Sequence, residues 1–243
     1  MIKFFRKIRK QLLTQNKVSK YLLYAIGEIV LVVIGILIAL QVNNLNEQHQ
    51  IRKTASIYKE KLINDMVSDT IQLNTIMSQV LRMQQGIEAY FQYFENGGAD
   101  LNILLDRACN VPTNFFGYFP INYTFRDMQE SGNITLLTEE ERKALMELSN
   151  SQEFMAIILE NSMEDIKMHI HERNKIMDFD LSDSDFYTKI SWEQAIDSRR
   201  RGLLYQHNVL TGFDQMVRSF NYRAKRIKKL TTNCLILLNK NKQ

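Results

Sequence analysis

Residues 22–41 read LLYAIGEIVLVVIGILIALQ, and this apolar run decides how the rest of the chain is arranged. With its flanking residues, the run extends from Tyr21 to Val42. An α-helix rises about 1.5 Å per residue, so the run would be roughly 33 Å long, which is enough to cross a hydrocarbon core of about 30 Å. We therefore predict a transmembrane helix over residues 21–42.

The charges around this run predict its orientation. Seven of the 31 Lys and Arg residues precede Tyr21, whereas none of the 27 Asp and Glu residues does. Because Lys and Arg resist translocation, residues 1–20 are expected to form a basic cytoplasmic segment and residues 43–243 a domain on the other side of the membrane. The net charge of +4 comes from this first segment, which argues against a nucleic-acid-binding protein.

The basic segment also carries apolar residues at helical spacing. Phe5, Ile8 and Leu12 alternate with Lys and Arg. This pattern is typical of an amphipathic helix that lies on membrane lipid, and it is equally consistent with a charged stop signal.

A cleaved signal peptide is the alternative for residues 1–42. Three features oppose it: the run is longer than the 7–15 residues typical of a signal core, it contains Glu28, and it ends without a small-residue cleavage site. We therefore expect an uncleaved anchor.

The chain beyond the run has the pattern of an all-α protein. Apolar residues from Ala55 to Phe94 recur every three or four positions, apart from a gap at Asp69, which predicts a helix over residues 44–95 that could continue the membrane helix. Asn96-Gly97-Gly98 should end this helix. A near-heptad seam from Val209 to Leu238 predicts a long final helix, and together these helices predict an antiparallel bundle.

Shorter elements are expected between the two long helices. The pattern predicts, in chain order, a helix over 100–109, an aromatic loop over 115–125, a helical piece over 125–130 ended at 131–133, a helix opened by the capping box Thr138–Glu141, a polar loop over 178–190 and a capping box at 191–194. We expect the aromatic loop either to cover the bundle core or to expose a binding patch.

One face of the apolar run combines an acid with small residues. Tyr24, Glu28, Gly35 and Ala39 share this face, and Gly35-x-x-x-Ala39 would allow another helix to approach closely. We interpret these four residues as an association seam, for a second copy or for another membrane protein. The alternative is that Glu28 reaches toward the cytoplasmic side and does little.

No enzyme motif occurs in the chain, so we expect a protein that acts by association, as a homo-oligomer or as an accessory subunit of a membrane complex. A sensor whose domain beyond the membrane binds a ligand and signals through a partner, and a proton-coupled motor subunit that uses Glu28, remain alternatives. No cofactor or metal is expected: His169 and His171 point to different helix faces, and the acidic stretch 178–185 lacks the Gly and Glu of a calcium loop.

The two cysteines, Cys109 and Cys234, form a candidate disulfide. An oxidising compartment would permit the bond, but the sequence does not show whether the two residues lie close together.

The opening pattern KYLLYAIGEI-LVVIGILIALQ-NN-NE resembles an uncharacterised bacterial family that is defined only as a domain of unknown function. The stretch F-x-x-M-x-x-S-G-N at Phe125–Asn133 is similar to the same family. The resemblance implies a bacterial inner-membrane protein, which would place residues 43–243 in the periplasm. It implies no activity and no site residue.

Overall fold

A computed structural model describes residues 18–98, 100–176 and 192–240. In these residues the protein is all-α, which confirms the predicted fold class. The elements are helices α1 (Val18–Glu95), α2 (Leu101–Cys109), α3 (Tyr123–Glu130), a 3₁₀ helix (Asn133–Leu136), α4 (Glu139–Ile176) and α5 (Trp192–Lys240). The chain forms two compact units, Met1–Ser56 and Ile57–Gln243.

Helix α1 is continuous from the apolar run to Glu95, as the absence of helix breakers predicted. It ends at Gly97, whose φ of 83° is readily available only to glycine. The Gly98 N–H then donates to the Tyr93 carbonyl at 3.1 Å. The predicted stop is therefore confirmed.

The second unit is a bundle in which α4 runs parallel and α5 antiparallel to α1. Contacts with α4 pair Lys59 with Glu141 and Asp69 with Gln152, so both residue numbers rise together. Contacts with α5 pair Tyr90 with His207, Gln84 with Asn221 and Asn74 with Lys228, so one number falls as the other rises. The predicted return of the last helix is confirmed.

The core follows the predicted apolar stripes. The α5 seam is buried at every predicted position: Val209, Phe213, Met216, Phe220, Ala224, Ile227, Thr231, Cys234 and Leu238. The α1 stripe is buried from Leu62 to Ile87, but Phe94, which the stripe included, lies in the last turn of the helix and is 45% exposed. Full burial of one such side chain contributes roughly 1.5–3 kcal/mol.

Residues 110–137, here called the strap, run back along α1. Val111 and Pro112 lie beside Gly86, where an added Cβ would be 3.1 Å from the Pro112 ring. Further along the strap, the Tyr118 hydroxyl donates a hydrogen bond to the Asp69 carboxylate. The Asn133 side-chain amide donates to the Tyr58 hydroxyl at 2.9 Å. Gly132, with φ of 77°, and the capping box at Thr138 and Glu141 appear where they were predicted.

The aromatic loop of the strap covers part of the bundle core, which is one of the two roles expected of it, and a binding patch on this loop stays a prediction. Tyr118 is buried and Phe116 packs edge-on against Phe220, with ring centroids 5.4 Å apart. Phe119 is 73% exposed. Residues 178–190 and the capping box predicted at Ser191 lie outside the described residues, and so does the basic segment up to Lys17.

Candidate functional site

The first unit contains the apolar run. Within the described residues, one helix is long and apolar enough to cross a membrane. Its large apolar side chains between Leu22 and Val42 are exposed on every side, and none of them is covered by protein. The structure thus contains a candidate membrane span at the predicted place.

The predicted association seam lies within this span. Glu28 is half-buried and Ala39 is exposed. A Cβ added at Gly35 would meet no atom within 4 Å, so the backbone there is open to an approaching helix. The side chain of Tyr24 lies outside the described residues. The four residues remain a predicted seam.

The second unit holds a polar centre that sequence analysis did not identify, around Asp69. This residue is fully buried in the middle of the α1 stripe. Its carboxylate accepts hydrogen bonds from the Tyr118 hydroxyl at 2.8 and 3.0 Å, from the Ile121 N–H at 3.1 Å and from the Gln152 amide at 2.8 Å. One side chain thereby joins α1, the strap and α4.

A second aspartate, one turn earlier on α1, extends this centre. The Asp65 carboxylate accepts from the Thr124 N–H at 2.8 Å, and this N–H lies in the first turn of α3. Such N–H groups have no partner within their own helix, so a carboxylate there satisfies the donor and interacts favourably with the helix dipole. Asp65 and Asp69 together hold the strap against α1.

The donors around Asp69 are all neutral: a phenol, a backbone amide and a side-chain amide. Burial raises the pKa of Asp69 above its ordinary value, and the hydrogen bonds from Ile121, Gln152 and Tyr118 oppose that rise. Removing one donor would leave a buried polar atom without a partner, which costs about 1–3 kcal/mol. The centre therefore determines where the strap is attached.

A buried ion pair lies nearer the start of the second unit. The Lys59 ammonium contacts a Glu141 carboxylate oxygen at 2.7 Å, and the other oxygen of Glu141 accepts from the Thr138 N–H at 2.8 Å. The capping box thus serves two purposes, because the same glutamate caps α4 and attaches it to α1. A buried pair of this kind is weak evidence for net stability, but removal of either partner would leave an uncompensated buried charge.

An aromatic cluster occupies the other end of the bundle. The Tyr90 hydroxyl lies 3.0 Å from Nδ1 of His207, whose ring packs against Phe91 and Phe94 with centroids 5.2 and 5.0 Å away. Burial lowers the pKa of His207, which favours the neutral ring. The cluster joins the last turns of α1 to α5.

The candidate disulfide is not formed. Cys109 and Cys234 are free thiols, one half-buried and one buried. Gln206 of α5 donates to the carbonyl of Ala108, beside Cys109, whereas Cys234 lies some 28 residues further along the same helix, about 42 Å away. A disulfide requires Cα atoms within about 7 Å, so this fold keeps the two apart.

In the described ranges, no group of three His, Cys, Asp or Glu side chains is placed to hold a metal ion. His169 is half-buried and His171 is exposed, so the pair has different surroundings, in keeping with the sequence interpretation. The acidic stretch 178–185 lies outside the described residues.

The polar centre around Asp69 could have been partly predicted from the sequence. Asp69 interrupts the α1 stripe, and Gln152 takes a core position between Leu148 and Met155 in α4. Two polar residues at core positions of two helices indicate a buried hydrogen-bonded pair. Tyr118, on an irregular loop, has no periodic signal that could have predicted its role.

Comparison with family models gives a match over residues 28–179 to a family of unknown function (DUF6090). The chain belongs to this family. The DUF6090 match covers the apolar run from Glu28 onward, the Asp69 centre, the strap and α4. Neither the curated proteins nor the solved structures gave a match to the chain. The membership confirms the expected resemblance to an uncharacterised family.

Proposed function

We propose that this protein is a single-pass membrane protein of the bacterial inner membrane that acts by association with other proteins. Residues 21–42 span the bilayer, residues 1–20 are cytoplasmic, and residues 43–243 are periplasmic. The observation that carries this proposal is the exposure of every large apolar side chain of the run, from Leu22 to Val42. In water such a surface would aggregate, whereas lipid covers it at no cost.

The proposed mode of action is binding through the seam of Glu28, Gly35 and Ala39, with Tyr24 as a fourth member. Small residues let two helices approach closely, and a carboxyl group can form an interhelical hydrogen bond there. Glu28 costs at least about 2.5 kcal/mol to insert, and a hydrogen bond within a helix–helix interface would reduce this cost. Catalysis has no role in the proposal.

Topology and membrane attachment are tested first. We expect alkaline phosphatase fused after Gln243 to be active in the periplasm, and the full-length chain to stay with membranes at alkaline pH. A fusion that is active only when it faces the cytoplasm, or a mature chain that begins near residue 43, would overturn the proposal.

Association is tested with a matched pair of glycines. Gly27 and Gly35 both have open backbones, but they lie about 80° apart around the helix. Energy transfer between labelled full-length copies in vesicles should fall for Gly35→Leu and stay unchanged for Gly27→Leu. Equal changes in energy transfer for the two variants would contradict the proposed seam.

The role of Glu28 is tested with two further variants. We expect Glu28→Gln to keep association, because an amide can still form a hydrogen bond, and Glu28→Leu to weaken it roughly 3- to 30-fold, which corresponds to about 0.6–2 kcal/mol. Co-purification after mild detergent extraction distinguishes a homo-oligomer from an accessory subunit of a larger membrane complex. A larger assembly that loses proton-dependent activity in Glu28→Gln would indicate the motor role instead.

A further inference from the structure

Helices α4 and α5 each carry a second stripe of residues on the side away from the core. Residues seven apart lie two turns apart on one line along a helix. On α4 this line contains Glu140, Glu147 and Phe154, and on α5 it contains Tyr222, Lys229 and Ile236. All six side chains are exposed, and among the apolar ones Phe154 is 50%, Tyr222 71% and Ile236 60% exposed.

The two stripes lie side by side on one face of the second unit. The Arg226 guanidinium is 3.5 Å from the Glu147 carboxylate, and the Arg223 guanidinium lies 4.5 Å from the centre of the Phe154 ring. These arginines therefore occupy the groove between the stripes. We call this surface, with its six stripe residues, the α4–α5 face.

The same contacts fix the levels of the two stripes. Because α4 and α5 are antiparallel, the pairs Arg226–Glu147 and Arg223–Phe154 place Lys229 near the level of Glu147 and Tyr222 near the level of Phe154. The exposed residues at matching levels thus have complementary chemistry: a cation with a carboxylate, and one aromatic ring with another.

The charges of the two helices are also complementary along this face. From Val217 to Lys240, α5 carries seven Lys and Arg residues and no acid. The first three turns of α4 carry Glu139, Glu140 and Glu147 at the same end of the bundle, and all three are exposed. Within one copy Arg226 contacts Glu147 and Arg223 lies over Phe154, whereas the side chains of Lys225 and Lys229 are exposed.

We propose that the α4–α5 face binds a second copy of this chain about a two-fold axis parallel to the helices. The inference rests on the proposed function for the presence of two copies in one bilayer, and it names the partner. The axis puts α5 of each copy against α4 of the other at the same level. Lys229 then meets Glu147 of the second copy, and Tyr222 meets Phe154 of the second copy.

The chemistry of the face favours a protein partner over a lipid surface. Two exposed aromatic rings and two arginines are characteristic of protein interfaces. Glu140 and Glu147 would repel anionic headgroups, whereas they attract the exposed Lys229 of a second copy. The two-fold axis uses every complementary pair twice, as closed symmetric dimers do.

The test uses the full-length protein, labelled with donor or acceptor dyes and reconstituted in vesicles with and without phosphatidylglycerol. We expect Lys229→Glu alone, or Glu147→Lys alone, to weaken self-association roughly 5-fold, because two exposed ion pairs become repulsive. Mixing the two variants should restore energy transfer, since the opposite charges then meet between copies. Absence of this rescue would overturn the proposal.

An aromatic substitution provides a larger effect with a matched control. Tyr222 and Phe119 are exposed to 71% and 73%, but Phe119 lies on the strap and outside the face. We expect Tyr222→Asp to weaken association about 30-fold or more, as for an aromatic residue that packs against an aromatic ring of the second copy, and Phe119→Asp to leave it unchanged. Equal responses of the two variants would contradict the inference.

The remaining outcomes separate this inference from the proposed function. If the face variants reduce energy transfer only when phosphatidylglycerol is present, the face binds headgroups and the dimer is wrong. If the face variants leave energy transfer unchanged while Gly35→Leu lowers it, the copies associate through the membrane seam, and the α4–α5 face is not a dimer interface. If the wild-type chain leaves the membrane at alkaline pH, the proposed function fails, and the charge-swap rescue between soluble copies still decides on the face.

Discussion

Helix α1 contains two stretches with the same backbone conformation but different side-chain patterns, and the two patterns suit different surroundings. Between Ala25 and Val42 most side chains are large and apolar, and these side chains are exposed on all sides. Between Ile57 and Glu95 apolar residues recur every three or four positions and are buried, with polar residues between them. The first stretch has no inner face, and the second has one.

The acids in these two stretches show the same contrast. Asp69 is surrounded by protein, and its carboxylate accepts from three neutral donors that the fold supplies. Glu28 lies among side chains that the protein leaves exposed. An acid at an apolar position thus indicates a polar centre within the protein in one stretch, and an interface with a second helix in our proposal for the other.

The largest expected effect comes from truncating a side chain of the buried stripe. Leu73 is completely buried, so Leu73→Ala should lower the free energy of unfolding of the second unit by about 2–5 kcal/mol. Leu31, which is 66% exposed, is the matched control in the apolar stretch, and Leu31→Ala should leave urea unfolding of this unit unchanged. Comparable losses would show that protein covers both stretches.

A charge in the apolar stretch should have a smaller effect of a different kind. Ile34→Lys should disfavour membrane insertion by about 3 kcal/mol, which glycosylation-based or protease-protection assays of insertion measure. The same change at exposed Ile71, in the second stretch, should leave insertion unaffected. Equal insertion of the Ile34 variant and the wild type would contradict the assignment of residues 21–42 as the span.

The smallest expected effect is the pH dependence that Asp69 confers. Burial raises the pKa of Asp69 above the ordinary value of 3.8, so the folded protein holds its proton more tightly than the unfolded chain does. Stability from this group is therefore greatest below the ordinary value and decreases as pH rises through the raised pKa of the folded state.

Asp69→Asn isolates this contribution. The amide oxygen can accept from Tyr118 or Ile121, and the amide nitrogen can donate to Gln152 once that side chain rotates its oxygen inward. We expect the wild type, relative to Asp69→Asn, to lose stability as the pH rises above about 4 in urea titrations at several pH values. Parallel curves for the two proteins would show that Asp69 has an ordinary pKa.

Patterns of fixed period account for what the sequence predicted. The α5 seam, the α1 stripe and the capping box at Thr138 all follow from helical spacing or from a four-residue motif, and they are found where they were expected, except that Phe94 at the end of the α1 stripe is exposed. The Asp69 centre was missed because its three contacts come from residues 49, 52 and 83 positions away. Periodicity shows that a polar residue occupies a core position, but it does not show which distant residue satisfies it.

The separation of α1 from α5 along the chain affects how the protein is made. Asn74 and Lys228, which are bonded in the finished bundle, lie 154 residues apart. At about 5–20 residues per second, a ribosome needs roughly 8 to 30 s to synthesise the second after the first. The apolar stripe of α1 is therefore synthesised long before α5, which packs against it. We expect the growing chain to need a holdase chaperone until α5 has been synthesised.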